Sequence, residues 1–353
     1  MKLLLFVLAG CFVAITVAPV FRHDWWVIRV CDFPRQQIAI GGVLLLAVYV
    51  GLWDVRSVSE TAVLGALTLS VAYQGYWLWP YTPYATPQVH TASANDPDTR
   101  LRVLVANLWI HNREADAVLD LVRRTTPDLV LTLETNARWN EALSALDDDY
   151  PHAVRHPLEN AYGMTLHSRR PLHDASVRFR VEDDVPSIDA HVEMPSGDRV
   201  RFIGLHPRPP HPNEHAHSAH RDAELLLAGR DVKAHLDETG GPVVVAGDFN
   251  DVPWSYVTLL MRRVGELLDP RIGRGPFNTF HAHYTALRCP LDHVLHSRHF
   301  TLVQLKRSNA FGSDHFALLA EMQLEPDAPV VQKRPYIDAT MRRHARQEMN
   351  GVA

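Results

Sequence analysis

Five strand-like apolar runs in this chain carry, at one end, side chains able to hold a metal ion or move a proton. Arg102 to Ala106 closes on Asn107, the run after Pro127 closes on Glu134, and Arg199 to Leu205 closes on His206. Val243 to Ala246 breaks at Gly247 and presents Asp248, Asn250 and Asp251 in quick succession. Asp314 and His315 stand immediately before the run Phe316 to Leu319, and Asp292 lies early in Leu291 to Leu295. Carboxylates with amides suit a hard, oxygen-preferring cation such as Mg²⁺ or Mn²⁺. Such a cation binds a phosphate oxygen, polarises phosphorus and stabilises the leaving oxygen. An Asp and a His would complete a hydrolytic site, one activating water and the other donating to phosphoryl oxygens. Taken singly each residue is a weak signal: Asn107 also suits a turn, Glu134 a helix start, and Asp314-His315 a loop or cap.

The elements that must position these residues are read from periodicity. Strands are expected at Arg102 to Ala106, Asp128 to Leu133, Gly163 to Ser168, Ile188 to Met194, Arg199 to Leu205 and Val243 to Ala246. Gly197-Asp198 should turn one hairpin. Helices are expected at Arg113 to Thr125, Ala219 to Leu236 and Ser255 to Leu268. Strand ends gathered on one edge of a sheet are where α/β folds commonly build sites.

Residues 1–80 differ from the rest. Leu3 to Phe21, Ile38 to Trp53 and Thr61 to Trp79 are nearly uncharged apolar runs close to the ~20 residues that cross a bilayer. Trp25, Trp26, Trp53, Tyr76, Trp77 and Trp79 sit where interfacial aromatics belong. A signal peptide would begin the same way, but three runs point to three membrane helices and a multi-pass protein of the bacterial inner membrane. Lys2 beside a short N-terminus favours an extracytoplasmic remainder, whereas Arg22, Arg29 and Arg35 in the first loop, against Arg56 in the second, pull the other way. Residues 81–100 are Pro-rich and read as a linker, 101–325 as the catalytic unit, and 326–353 as a basic, disordered tail.

The net charge of −5 gives no overall footprint for nucleic acid. Arg169, Arg170 and the group Arg262 to Arg274 remain as local candidates. Of Cys11, Cys31 and Cys289 only the last lies beyond the apolar region, so no internal disulfide or Cys-based zinc motif is possible there. His211, His215, His217 and His220 fall in a Pro-rich loop without metal-site spacing and read as solvated. No GxSxG, P-loop or GxGxxG accompanies the polar strand ends.

The order Asn107, Pro127-to-Glu134, His206, Gly247-Asp248-Phe249-Asn250, Asp292 and Ser313-Asp314-His315 resembles the endonuclease/exonuclease/phosphatase family, over roughly residues 100–325. The resemblance implies a four-layer α/β sandwich, two facing β-sheets flanked by helices, that hydrolyses a phosphate ester by in-line attack of water. It implies Glu134 as principal metal ligand with Asn107 and Asp314 at the metal site, Asp248 on the water, and Asn250 and His206 on the phosphate. His315, oriented by Asp292, would bind the scissile phosphate. Leu133 stands where the family often has Gln. The substrate implied is a nucleic acid or a lipid or inositol headgroup, with the bilayer as the other partner. A tethered binding or scaffold protein with the same fold and no turnover is the alternative.

Overall fold

Among the residues that the computed structural model describes, 2–52, 57–93, 95–210 and 217–351, eleven strands form two sheets. They are β1 (Arg100–Asn107), β2 (Leu129–Leu133), β3 (His152–His156), β4 (Met164–Ser168), β5 (Leu172–Phe179), β6 (Pro186–Glu193), β7 (Arg199–Leu205), β8 (Val243–Asp248), β9 (Asp292–His296), β10 (Phe300–Arg307) and β11 (Leu318–Leu324). One sheet runs β10-β11-β1-β2-β4-β3 and the other β5-β6-β7-β8-β9. Each contains one parallel pair, β1–β2 and β7–β8. A parallel pair needs a crossover, supplied by the helices Ala115–Thr125 and Ala219–Glu238.

Strand side chains alternate between faces, and both faces of the central strands are apolar. Val103, Val105, Leu129 and Leu131 of the first sheet pack against Ile188, Ala190, Phe202, Val244 and Ala246 of the second. The opposite faces are covered by helices: Leu104 and Val130 meet Val118, Val122 and Trp139, while Ile203 and Val245 meet Leu225, Leu226, Val257 and Met261. The result is the expected helix–sheet–sheet–helix sandwich. Each large apolar side chain removed from water contributes roughly 1.5–3 kcal/mol before entropic costs.

The three strands that periodicity misses, β3, β5 and β10, are all edges. An edge strand keeps polar residues on its open side, and β5 has no fully buried position. Residues 81–93 pack rather than link: Val89 is fully buried, and the Gln88 side-chain carbonyl accepts from Asp269 N at 3.0 Å. Pro spacing signals extension, but extension along a surface still permits burial. The tail carries a helix, Ala339–Asn350, because Met341, Ala345 and Met349 share one apolar face against the second sheet's helices.

The N-terminal helices Lys2–Val17, Arg35–Leu52 and Val58–Leu78 share a small core of Ala9, Phe12, Tyr49 and Leu67. Leu3, Leu4, Ile40, Leu44 and Leu69 point outward and exposed. Three spans are not upheld by length and composition. Lys2–Phe21 alone is long and apolar enough to cross a membrane or serve as a signal sequence, and Trp26–Asp32 with Arg35–Gly51 passes only as a pair bent by 72°. Val58–Leu78 falls short because Glu60, Gln74 and its Ser and Thr residues dilute it. Trp53 and Arg56 lie outside the described residues.

The segment after the first helix is docked on the sandwich. Arg29 donates to Asp222 at 2.9 Å with both side chains buried, Trp254 donates its indole N–H to Asp32 O at 2.8 Å, and Ser218 N donates to Asp24 O at 2.8 Å.

Candidate active site

Both parallel pairs end at the same rim. Asn107 closes β1, and Glu134 follows β2, its neighbour; His206 follows β7, and Asp248 closes β8. Asp292 opens β9 directly opposite Asp248 in the antiparallel register, which sets two carboxylates side by side. Gly247, within β8, has a φ of +145°, and an added Cβ would lie 1.9 Å from Leu205 O. Only glycine lets β8 approach β7 this closely. Positive φ recurs at Trp109 (57°), Glu134 (58°) and Asn250 (48°), all at this rim. Such backbone strain persists only where surrounding contacts hold it.

The two sheets meet through Asn107. Its side-chain amide donates to Glu134 Oε1 at 3.0 Å and to Asp248 Oδ2 at 3.1 Å, and it is buried. Glu134 Oε2 accepts from the backbone N of Ile110 at 3.0 Å. On the far side of Asp248, Oδ2 lies 3.6 Å from His315 Nε2 and 3.9 Å from His206 Nε2. The other nitrogen of His315 bonds Asp292 Oδ2 at 2.9 Å. Burial disfavours a charge on His315, but the carboxylates of Asp292 and Asp248 outweigh it and hold the imidazolium up to about 10.

Six of the eight predicted site residues thus form one connected set: Asn107, Glu134, His206, Asp248, Asp292 and His315. The other two flank it. Asn250 donates its amide to Pro207 O at 3.0 Å, which ties the turn to the loop after His206. Asp314 accepts Ala282 N on its backbone carbonyl; burial lowers the neighbouring His281, and the Asp314 carboxylate only partly offsets it. Asp251 turns away, accepting from Thr258 Oγ1 at 2.9 Å at the start of the helix Tyr256–Val264.

The donor set fits a hard divalent cation. Asp248, Asp292 and His315 place potential ligand atoms within 4.8 Å of one another. His315, however, already engages Asp292 through a hydrogen bond, so that trio reads better as a proton-holding dyad beside a carboxylate. On the other side of Asp248 one amide NH2 group, that of Asn107, lies between the carboxylates of Glu134 and Asp248, two oxygen donors of the kind a hard cation takes.

Several supports leave no sequence signal. Ser313 donates Oγ to Asn107 O at 2.8 Å and accepts His315 N at 3.0 Å, which locks the Asp314-His315 turn onto β1. Thr279 Oγ1 accepts Asp292 N at 3.1 Å, the Phe280 ring lies 4.9 Å from that of His315, and Tyr162 lies 5.7 Å from His206. Of the arginines expected as a basic patch, Arg262 and Arg271 serve inside the protein, while Arg169 stays exposed. Arg271 and Arg262 are buried around Asp269, whose carboxyl they hold well below the usual range against the effect of burial. Arg271 also donates to Asp292 O at 3.3 Å. Arg170 pairs with Asp128 at 2.9 Å, and Arg169 lies over the Tyr150 ring. Of the loop histidines, His217 meets Asp24 at 3.1 Å and His220 meets Glu182 at 3.4 Å, so the two do not share a metal. His211 and His215 lie outside the described residues.

Comparison with known proteins agrees with the fold. The catalytic domain of human Nocturnin with bound sulfate is similar in fold, at 16% identity and a TM-score of 0.53 over 65% of this chain and 97% of that one. TDP2 of D. rerio complexed with a single-strand DNA product matches at 16% identity and 0.52 over 64% of this chain and 100% of that one. An endonuclease/exonuclease/phosphatase from Bacteroides vulgatus matches at 18% identity and 0.52, again over 64% and 100%. No curated protein sequence matches. The sequence description of the Endonuclease/Exonuclease/phosphatase family matches residues 104–315, more than half of the 353. The chain therefore belongs to the endonuclease/exonuclease/phosphatase family and is a hydrolase of phosphate esters.

Proposed function

We propose that this chain is a membrane-anchored, divalent-metal-dependent phosphodiesterase that works by in-line attack of water. The observation that carries this reading is the convergence of both sheets on Asp248, with Asn107 and Glu134 on one side and His206, His315 and Asp292 on the other. Glu134, with Asn107 and Asp314 nearby, would hold Mg²⁺ or Mn²⁺, which when bound polarises the phosphate and stabilises the leaving oxygen. Asp248 orients the water and takes its proton. His315, kept as imidazolium by Asp292 and Asp248, donates from Nε2 to a phosphoryl oxygen. His206 and Asn250 complete the phosphate contacts.

Two observations favour a lipid phosphodiester over nucleic acid. Arg262 and Arg271 are buried around Asp269, Arg170 pairs with Asp128, and Arg169 lies over the Tyr150 ring, which leaves fewer free cations for a phosphate backbone. The segment from Asn278 to Arg288 touches both the site and a membrane-side helix. Phe280 packs on His315, Asn278 Nδ2 donates to Gln36 Oε1 at 2.7 Å, and Gln37 donates to Arg288 O at 2.8 Å. The site therefore opens beside the start of the helix Arg35–Leu52.

The anchor would be multi-pass in the bacterial inner membrane, with the sandwich outside the cytoplasm. The loop 22–34 and the segment after Leu78 both contact the sandwich and so lie on its side of the membrane, with Gly273 N donating to Pro80 O at 2.8 Å. Arg29 of that loop and Arg35 just after it are paired with Asp222 and Asp32, which weakens them as cytoplasmic determinants.

Asp248→Ala should lower kcat/KM on a generic phosphodiester by roughly 10²–10⁴-fold. Glu134→Gln should instead shift the Mg²⁺ dependence upward, and chelation should silence the wild type. Full activity in Asp248→Ala would overturn the assignment. Absence of wild-type turnover on plasmid DNA, inositol phosphates and phospholipid alike would leave a binding protein on this fold.

A further inference from the structure

A cavity of about 870 Å³ opens where the last turns of the helix Val58–Leu78 meet the sandwich, away from the catalytic residues. Its helix wall is Ala72, Gly75, Tyr76 and Trp79, which recur at i, i+3, i+4 and i+7 and so share one face. Ala72 and Gly75 leave that face hollow, and a Cβ added to Gly75 would meet nothing within 4 Å. Leu69, one turn before Ala72, is 73% exposed and continues the same helix face as an apolar surface. Tyr76 and Trp79 are also exposed, at the level where aromatics meet headgroups.

The opposite wall carries charge. Arg22 stacks its guanidinium 3.9 Å from the centre of the Tyr256 ring. Arg263 donates to Met341 Sδ at 2.8 Å, and a thioether is a weak acceptor. Neither arginine has a carboxylate within ion-pairing distance among the described residues, whereas their neighbour Arg262 pairs with Asp269. Two cations without a direct ion pair thus face an apolar cavity beside a helix surface that the membrane-anchored reading turns toward lipid.

We infer that this cavity binds one anionic phospholipid, with its phosphate at Arg22 and Arg263 and an acyl chain along Leu69, Ala72 and Gly75. The site rests on the membrane-anchored reading and is separate from the hydrolytic centre. Such a lipid would fasten the sandwich to the membrane surface, since it touches the helix end, the loop after the first helix and the helix Tyr256–Val264 together.

Native mass spectrometry of the full chain in detergent, titrated with phosphatidylglycerol, phosphatidylcholine or inorganic phosphate, tests this. One phosphatidylglycerol should be retained roughly tenfold or more tightly than phosphatidylcholine. The double substitution Arg22→Ala with Arg263→Ala should remove that preference. Gly75→Phe, which fills the channel without changing charge, should block both lipids. Arg343→Ala, an exposed charge on the tail helix, should change nothing. Equal retention of the two lipids, retention unaltered by both the double substitution and Gly75→Phe, or displacement of the lipid by inorganic phosphate would each overturn the inference. Alkaline extraction of membranes reads the anchor separately: a chain that washes off refutes anchoring, whereas a chain that stays but shows no lipid preference refutes only this site.

Discussion

The two parallel β–helix–β units of the sandwich use the same topology and end in paired site residues, Asn107 with Glu134 and His206 with Asp248. Their crossover helices differ sharply. Ala115–Thr125 buries Val118, Leu119, Leu121 and Val122 and leaves its polar residues outside, the pattern of a helix with one covered face. Ala219–Glu238 buries Arg221, Asp222 and Glu224 along with Leu225, Leu226 and Val232. The second helix is covered on more than its sheet side. The segment after the first helix reaches it through Arg29, and the tail helix Ala339–Asn350 packs along it. The first unit is a surface of the protein, while the second is the mounting plate for both chain ends. Buried charge is what that covering leaves behind, and it is tolerated where partners are complete.

That contrast can be broken most severely at Asp222, which engages Arg29, Arg221 and Ser218 at 2.9, 2.7 and 2.7 Å. Asp222→Ala should destabilise by about 3–5 kcal/mol, because it leaves the buried Arg29 guanidinium without its carboxylate and Arg221 with only Asp251 and Asn250 O. The matching change on the first helix, at the exposed pair Asp120–Arg123, should move the apparent Tm hardly at all. Equal shifts would erase the distinction between the units.

Glu224 gives a pH-dependent test. Burial pushes its carboxyl up to about 8 from the ordinary 4.5. The folded chain then binds a proton that the unfolded chain releases, so stability present below pH 4.5 is lost as pH rises through about 8. Glu224→Gln should therefore gain on the wild type with rising pH, on the order of a few kcal/mol between about pH 5 and pH 9. An advantage that stays flat with pH would mean that Glu224 is ionised in place.

The smallest expected effect lies in the first unit. Asn136 accepts Trp139 N at 3.1 Å and caps the helix Ala137–Leu143 just after Glu134. Asn136→Ala should cost about 1 kcal/mol in denaturant unfolding. A loss several times larger would show that this cap also holds Glu134.

The central strands were legible because they are apolar on both faces, as in Val243–Asp248, and the polar residues at their ends stood out against that background. Edge strands such as Leu172–Phe179 were not, since half of each is built to face water. The tail helix was hidden by its charge, and the arginines around Asp269 looked like surface because composition carries no burial.

The sequence by itself determined the chemistry: which carboxylates, amides and imidazoles close which strands, in an order that marks the family. Only the tertiary structure decided how they combine. Asn107 and Asp248 lie 141 residues apart, and Asp292 and His315 lie 23 apart. Sheet pairing and sheet packing bring them within hydrogen-bond distance, because a bond of about 3 Å depends on through-space register that no spacing along the chain encodes.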